Sequence, residues 1–152
     1  MCIKILIDVK HETYVTEIEV KGKTFPIKEL LKVCKFKWNS NKKIWSYVNY
    51  GDDEDDYEVR EILRKVFNIE PAILGLYDYE KILFEALKIL GFKIEKKKTL
   101  WSHDVPELTI TRYVAEIDID EKILEEKVKD LAEKIKNVRR EAKRRIFREL
   151  SI

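Results

Sequence analysis

One uninterrupted stretch limits the fold more than any other. From Asp120 to Leu150 there is no glycine or proline, and Leu124, Val128, Leu131, Ile135, Val138 and Ala142 recur at intervals of 4, 3, 4, 3 and 4. Such spacing keeps an apolar stripe on one side of a single α-helix. At 1.5 Å per residue that helix is about 45 Å long, more than a small domain can cover. The chain must therefore supply a layer for its first half and leave the rest overhanging or paired. A homodimer through Leu124, Val128, Leu131, Ile135 and Val138 is one expectation. Packing over a sheet of the same chain accounts for the first half equally well.

The sheet is legible in the N-terminal half. Ile3, Ile5, Ile7 and Val9 alternate with Lys4, Leu6 and Asp8, and after His11, Glu12 and Thr13 the alternation resumes from Tyr14 to Val20. This is the pattern of a β-hairpin with one buried face. Pro26 suits a first helical turn, and Ile27, Leu30, Leu31 and Cys34 follow at helical spacing, which predicts a helix ending near Lys35. Asn39, Ser40, Asn41 and Lys42 are turn formers between Phe36–Trp38 and Lys43–Tyr47, predicting a second hairpin. Val59, Ile62, Leu63, Val66 and Phe67 mark another amphipathic helix. Asp78 suits the N-cap of a third helix, Gly91 its C-cap, and Leu108 to Ile119 reads as a strand. The expected class is α+β: antiparallel hairpins packed with amphipathic helices, plus the long C-terminal helix.

A repeat runs through this pattern. Displaced by 56 positions, Leu31, Lys32, Phe36, Lys37, Lys42, Trp45 and Ser46 fall on Leu87, Lys88, Phe92, Lys93, Lys98, Trp101 and Ser102. A duplicated helix-hairpin unit would produce this match. The organisation then reads as a hairpin-helix-hairpin-helix unit over 1–70, a related helix-hairpin unit over 71–119, and the long helix over 120–152, within one compact domain. The repeat places a hairpin turn at Lys96, Lys97 and Lys98 and a second aromatic pair at Phe92 and Trp101.

Composition narrows the setting. No apolar run approaches the roughly 20 residues that span a bilayer, and Met1 to Lys10 lacks the apolar core of a signal peptide. Cys2 and Cys34 form neither a disulfide framework nor a metal-ligand cluster, so a reducing cytoplasm is expected, with no cofactor and no metal. The chain is 39% charged and rich in Lys, Glu and Ile, as heat-stable proteins are. Its net charge of +2 hides a run of Asp52, Asp53, Glu54, Asp55, Asp56 and Glu58. That run is expected to be a solvated loop whose last carboxylates cap the next helix.

The segment from Phe36 to Trp45 is the most distinctive. Trp38, Asn39, Lys42, Lys43 and Trp45 follow a pattern of an aromatic, an Asp, a basic turn and a returning Trp, with Asn39 in place of the Asp. On these residues, about 27–67 resembles the small helix and β-hairpin modules related to the HARP domain, which occur beside Swi/Snf-type helicase motors. The resemblance implies recognition of DNA structure, and contact by Lys42 and Lys43. From the alternation itself, Phe36, Trp38, Trp45 and Tyr47 share one face of the hairpin, while Lys35, Lys37, Ile44 and Ser46 share the other, with Phe36 opposite Trp45. The aromatics are expected to be core, with Trp38 and Trp45 as base-stacking platforms the alternative.

Charge points the same way. Between Lys134 and Arg148 the cations Lys134, Lys136, Arg139, Arg140, Lys143, Arg144, Arg145 and Arg148 face only Glu141, a net charge of +7. The helix dipole favours late cations, but five arginines on about four turns also suit bidentate phosphate contact. The expected function is non-enzymatic nucleic-acid binding, DNA ahead of RNA. Its contacts would be Lys37, Lys42, Lys43, Lys97, Lys98, Arg139, Arg140, Lys143, Arg144, Arg145 and Arg148. The alternative is an adaptor holding a protein partner through the heptad stripe. Two histidines, His11 and His103, no glycine-rich phosphate loop and no CxxC pair give no catalytic pattern; a carboxylate nuclease site is the one enzyme that spacing would not reveal.

Overall fold

The computed structural model describes residues 1–51, 53–102 and 108–150. Six strands, β1 (Cys2–Glu12), β2 (Val15–Gly22), β3 (Lys37–Asn39), β4 (Ile44–Asn49), β5 (Lys93–Ser102) and β6 (Leu108–Asp118), form one sheet in the order β3-β4-β2-β1-β6-β5. Every neighbouring pair is antiparallel. The helices are α1 (Lys28–Val33), entered through a 3-10 turn at Phe25–Ile27, α2 (Asp56–Lys65), α3 (Tyr79–Leu90) and α4 (Glu121–Leu150). This is the α+β architecture expected. None of the helices is long and apolar enough to cross a membrane.

The pleat sorts the sheet into two faces. Ile3, Ile5, Ile7 and Val9 of β1, Ile18 and Val20 of β2, Trp45 and Tyr47 of β4 and Ala115 of β6 form one buried core with the helices. The opposite face carries Lys4, Asp8, Lys10, Glu19, Lys21, Arg112 and Glu116, paired across strands: Lys4 to Glu116, Lys10 to Glu19, Lys21 and Arg112 to Asp8. A sheet covered on one side and ion-paired on the other needs no second layer.

Helix α4 lies across the covered face. Asp120 caps it, accepting from the backbone N–H of Lys122 (3.0 Å) and Ile123 (3.3 Å). Leu124, Val128, Leu131, Ile135 and Ala142 are all buried within the chain, and Val138 is packed against the same core. The stripe expected to pair two copies is thus occupied by the chain's own core, and a dimer through it has no surface to use. The expected overhang is real but lies beyond Ala142, where Phe147 is 74% exposed and Leu150 78%.

Beneath α4 the polar groups converge on Tyr79, which is fully buried. Its hydroxyl donates to Glu58 Oε1 at 2.6 Å. The Lys35 ammonium bonds Asp55 and lies 3.1 Å from Glu58, and the Tyr47 hydroxyl donates to Asp55 at 3.2 Å. Lys35 and Arg139 both lie over the Tyr79 ring, 5.2 and 5.1 Å from its centroid. The acidic run therefore divides: Asp53 and Glu54 are exposed, as a solvated loop would have them, while Asp55, Asp56 and Glu58 are drawn into the helical layer. Asp55 makes no capping bond, Asp56 accepts from Arg60 and from the Tyr77 N–H, and Glu58 is buried because Tyr79 and Lys35 satisfy it.

The 56-residue repeat survives only in part. Helices α1 and α3 end alike: Phe36 N–H donates to Leu31 and Phe92 N–H to Leu87, at 2.9 and 3.0 Å. In both, the preceding residue is left-handed, Lys35 at φ +66° and Gly91 at φ +105°, as in a Schellman cap. Thereafter the units diverge. Lys42 sits in a turn, whereas Lys96, Lys97 and Lys98 lie inside β5, at a bulge. Trp45 returns on the second strand of its hairpin, whereas Trp101 remains on the first. Trp45 is buried, and Trp101 is 70% exposed.

Removing the Tyr79 hydroxyl leaves a buried carboxylate with Lys35 as its remaining partner. Tyr79→Phe should lower unfolding free energy by about 1 to 3 kcal/mol, measured by denaturant titration; an unchanged midpoint would contradict this role for the cluster.

Candidate nucleic-acid interface

The β3–β4 hairpin turns because Asn39 builds its own loop. Its side-chain oxygen accepts from the N–H groups of Asn41 (3.0 Å) and Lys42 (3.1 Å), and Lys43 takes a left-handed φ of +56°. Trp38 pairs with Trp45, and Lys37 with Ser46. The register is thus two residues from the expected one, which set Phe36 opposite Trp45. Because a shift of two preserves the pleat, the aromatics still share a face. Trp45 is core. Trp38, on the edge strand, is 49% exposed, its ring 5.4 Å from that of Trp45. Of the two proposed stacking residues, only Trp38 presents a ring to solvent. Lys37, Lys42 and Lys43 are exposed around it.

The cations of α4 divide by what they meet. Arg139 points inward: its guanidinium donates to the Val33 carbonyl at the end of α1, and its Nε is buried. It fastens α4 to the turn that leads into β3, so this guanidinium is engaged within the chain. Arg145 lies 3.5 Å from Glu61 of α2 and 4.0 Å from Glu141. Arg148 also interacts within the chain. Arg140, Lys143 and Arg144 are exposed and enter no ion pair among the described residues. The Arg139 bond places Arg140 one residue from the contact of α4 with the end of α1, which leads into β3, the edge strand of the hairpin that carries Lys37, Lys42 and Lys43.

Lys97 and Lys98 do not belong to it. They lie on β5, the opposite edge of the sheet, about 24 Å away for five strand spacings. Lys97 is bonded to Glu95 at 2.7 Å, and Lys98 stands beside Arg112. The proposed contact set is thus split, with the lysines of the β3–β4 hairpin at one edge of the sheet and those of β5 at the other.

The ionisable groups shifted by the fold lie elsewhere. Arg112 holds Asp8 with two bonds, 2.7 and 2.9 Å, and keeps its carboxyl below the usual range against the opposing effect of burial. Burial pushes the Cys34 thiol up to about 12, which leaves it inert at neutral pH. Asp78 caps α3, accepting from Glu80 N–H at 3.0 Å and Asn49 at 2.8 Å, and burial raises it. Glu80 is pushed to about 7 by burial, then by Asp78. Among the described residues, no three of His, Cys, Asp and Glu assemble into a group that could hold a metal ion. His103, one of the chain's two histidines, lies outside them. No protein-family model, no curated protein and no solved structure matches the chain.

Glu80 makes a pH-dependent prediction. Its folded value lies above the ordinary 4.5, so it costs nothing below that value, and its penalty grows as pH rises from about 4.5 to 7, where the unfolded chain is already ionised, and is complete above 7. Glu80→Gln should gain about 1 to 3 kcal/mol over the native chain near pH 8 and nothing near pH 4. A gain that does not change with pH, read from melts at both values, would contradict the burial account.

Proposed function

We propose that the protein is a non-enzymatic nucleic-acid-binding module that grips phosphates along the edge formed by the β3–β4 hairpin and the exposed end of α4. The observation that carries this reading is the uneven neutralisation of charge. On the open face of the sheet, Lys4, Lys10, Lys21 and Arg112 are matched with carboxylates across strands. Lys37, Lys42, Lys43, Arg140, Lys143 and Arg144 are not matched among the described residues. Exposed cations without carboxylate partners are free to displace the counterions of a phosphate chain, and the half-exposed Trp38 among them offers a stacking surface to an unpaired base. The likeness of about 27–67 to HARP-related modules supports DNA ahead of RNA and gives Lys42 and Lys43 the leading positions. Phosphate contacts orient a protein without reading bases, so little sequence preference is expected.

Anisotropy with labelled duplex and single-stranded DNA over a salt series tests this. Arg140→Gln, Lys143→Gln and Arg144→Gln together should leave the fold intact and flatten the dependence of log K on log salt by roughly 0.9 for each duplex phosphate no longer neutralised. Trp38→Ala should weaken single-strand binding by about 1 to 3 kcal/mol and duplex binding much less. Lys97→Gln with Lys98→Gln should change neither. An unaltered slope in the α4 variant, or equal losses from the β5 variant, would overturn the assignment.

A further inference from the structure

We propose that the β5 edge is a strand-addition site for an extended acidic segment of a protein partner, a function beyond the nucleic-acid reading and on the opposite side of the sheet. The two edges are unequal: β3 offers three residues and β5 ten. Along β5 one row of backbone N–H and C=O groups has no neighbouring strand among the described residues, and proteins normally blunt such a row. Here the blunting stops halfway. The bulge between Lys96 and Lys98 and the lysines Lys93, Lys96, Lys97 and Lys98 cover the first part. Thr99–Ser102 carries no charge and displays Leu100 and Trp101, 49% and 70% exposed.

The pleat gives the partner its pattern. Lys98 and Leu100 pair with Arg112 and Ile110 and face the open side, while Lys96 and Trp101 pair with Tyr113 and Thr109 and face the helices. A strand laid on this edge meets a lysine and then a large apolar side chain on each face. It is matched by carboxylates beside Lys96 and Lys98 and apolar residues beside Leu100 and Trp101. A second copy is a poor occupant, because the antiparallel register that overlaps the whole of β5, Lys93 with Ser102, sets Lys97 against Lys98. A nucleic-acid strand fits less well than a peptide, because phosphates only accept hydrogen bonds whereas the edge both donates and accepts.

The test uses the intact protein and a dye-labelled peptide of alternating valine and threonine ending in two glutamates, beside a twin with alternate backbone amides N-methylated. The unmodified peptide should bind, slow amide exchange over Thr99–Ser102, and outbind its twin at least tenfold. Lys96→Glu with Lys98→Glu should weaken it at least tenfold and favour a peptide carrying lysines in place of the glutamates. Equal binding of the two twins, or no binding at about 1 mM, would overturn the proposal. Protection of the same amides by oligothymidylate and not by peptide would overturn it too, in favour of nucleic acid.

Discussion

The hydroxyl of Tyr79 meets the carboxylate of Glu58 at 2.6 Å in a place without solvent, and most of the helical layer is organised around that contact. Five parts of the chain reach it: the α1–β3 turn through Lys35, β4 through Tyr47, α2 through Asp55 and Glu58, α3 through Tyr79 itself, and α4 through Arg139. A buried carboxylate is costly unless paired. Here Lys35 and the tyrosine satisfy Glu58 together, and the Lys35 ammonium stays charged because Asp55 and Glu58 outweigh the burial that opposes it. The requirement that all these groups meet sets the helices in one arrangement over the sheet.

That arrangement fixes the lever on which the functional reading rests. Arg139 is drawn inward by the Val33 carbonyl and the Tyr79 ring. Successive helical residues are about 100° apart in phase, so anchoring Arg139 turns Arg140 and Arg144 outward, whereas Lys143, one turn on from Arg139, is exposed because α4 overhangs the core beyond Ala142. The same anchor holds α4 against the turn before β3, where the lysine-bearing hairpin begins. One inward arginine thus aims the two on which the proposed function draws. The paired cations of the open face offer a contrasting surface, charged yet locally neutral.

Much of this was legible in the residues. Alternation in Ile3–Val9, the Pro26 turn, the Asp78 cap, the Gly91 stop and the unbroken run after Asp120 each carry a local signal, and each element formed where that signal stood. The failures share a cause, since they depend on what lies across space. The apolar stripe sets Arg139, four residues after Ile135 and three before Ala142, nearer the core than Arg140, but the partner that holds it there, the Val33 carbonyl, is not written in the helix. Asp55 and Glu58 look like members of a solvated run until Lys35 and Tyr79 arrive from elsewhere in the chain. The repeat misled at Lys96–Lys98 because seven matching positions do not encode strand length, and β5 continues through a bulge where β3 turns. The β5 edge was invisible for the same reason, as strand order is not written in any single strand.

The most direct test of the central claim is an NMR titration of the isotope-labelled protein with a short DNA duplex and with oligothymidylate at low salt. Binding along the proposed edge should move the signals of Lys42, Lys43, Arg140, Lys143 and Arg144 with either ligand, and the Trp38 indole with the single strand alone. Signals of Lys4, Lys10 and Lys21 on the open face should stay in place. Shifts concentrated on that face or on β5, or no shifts at ligand excess, would contradict the account.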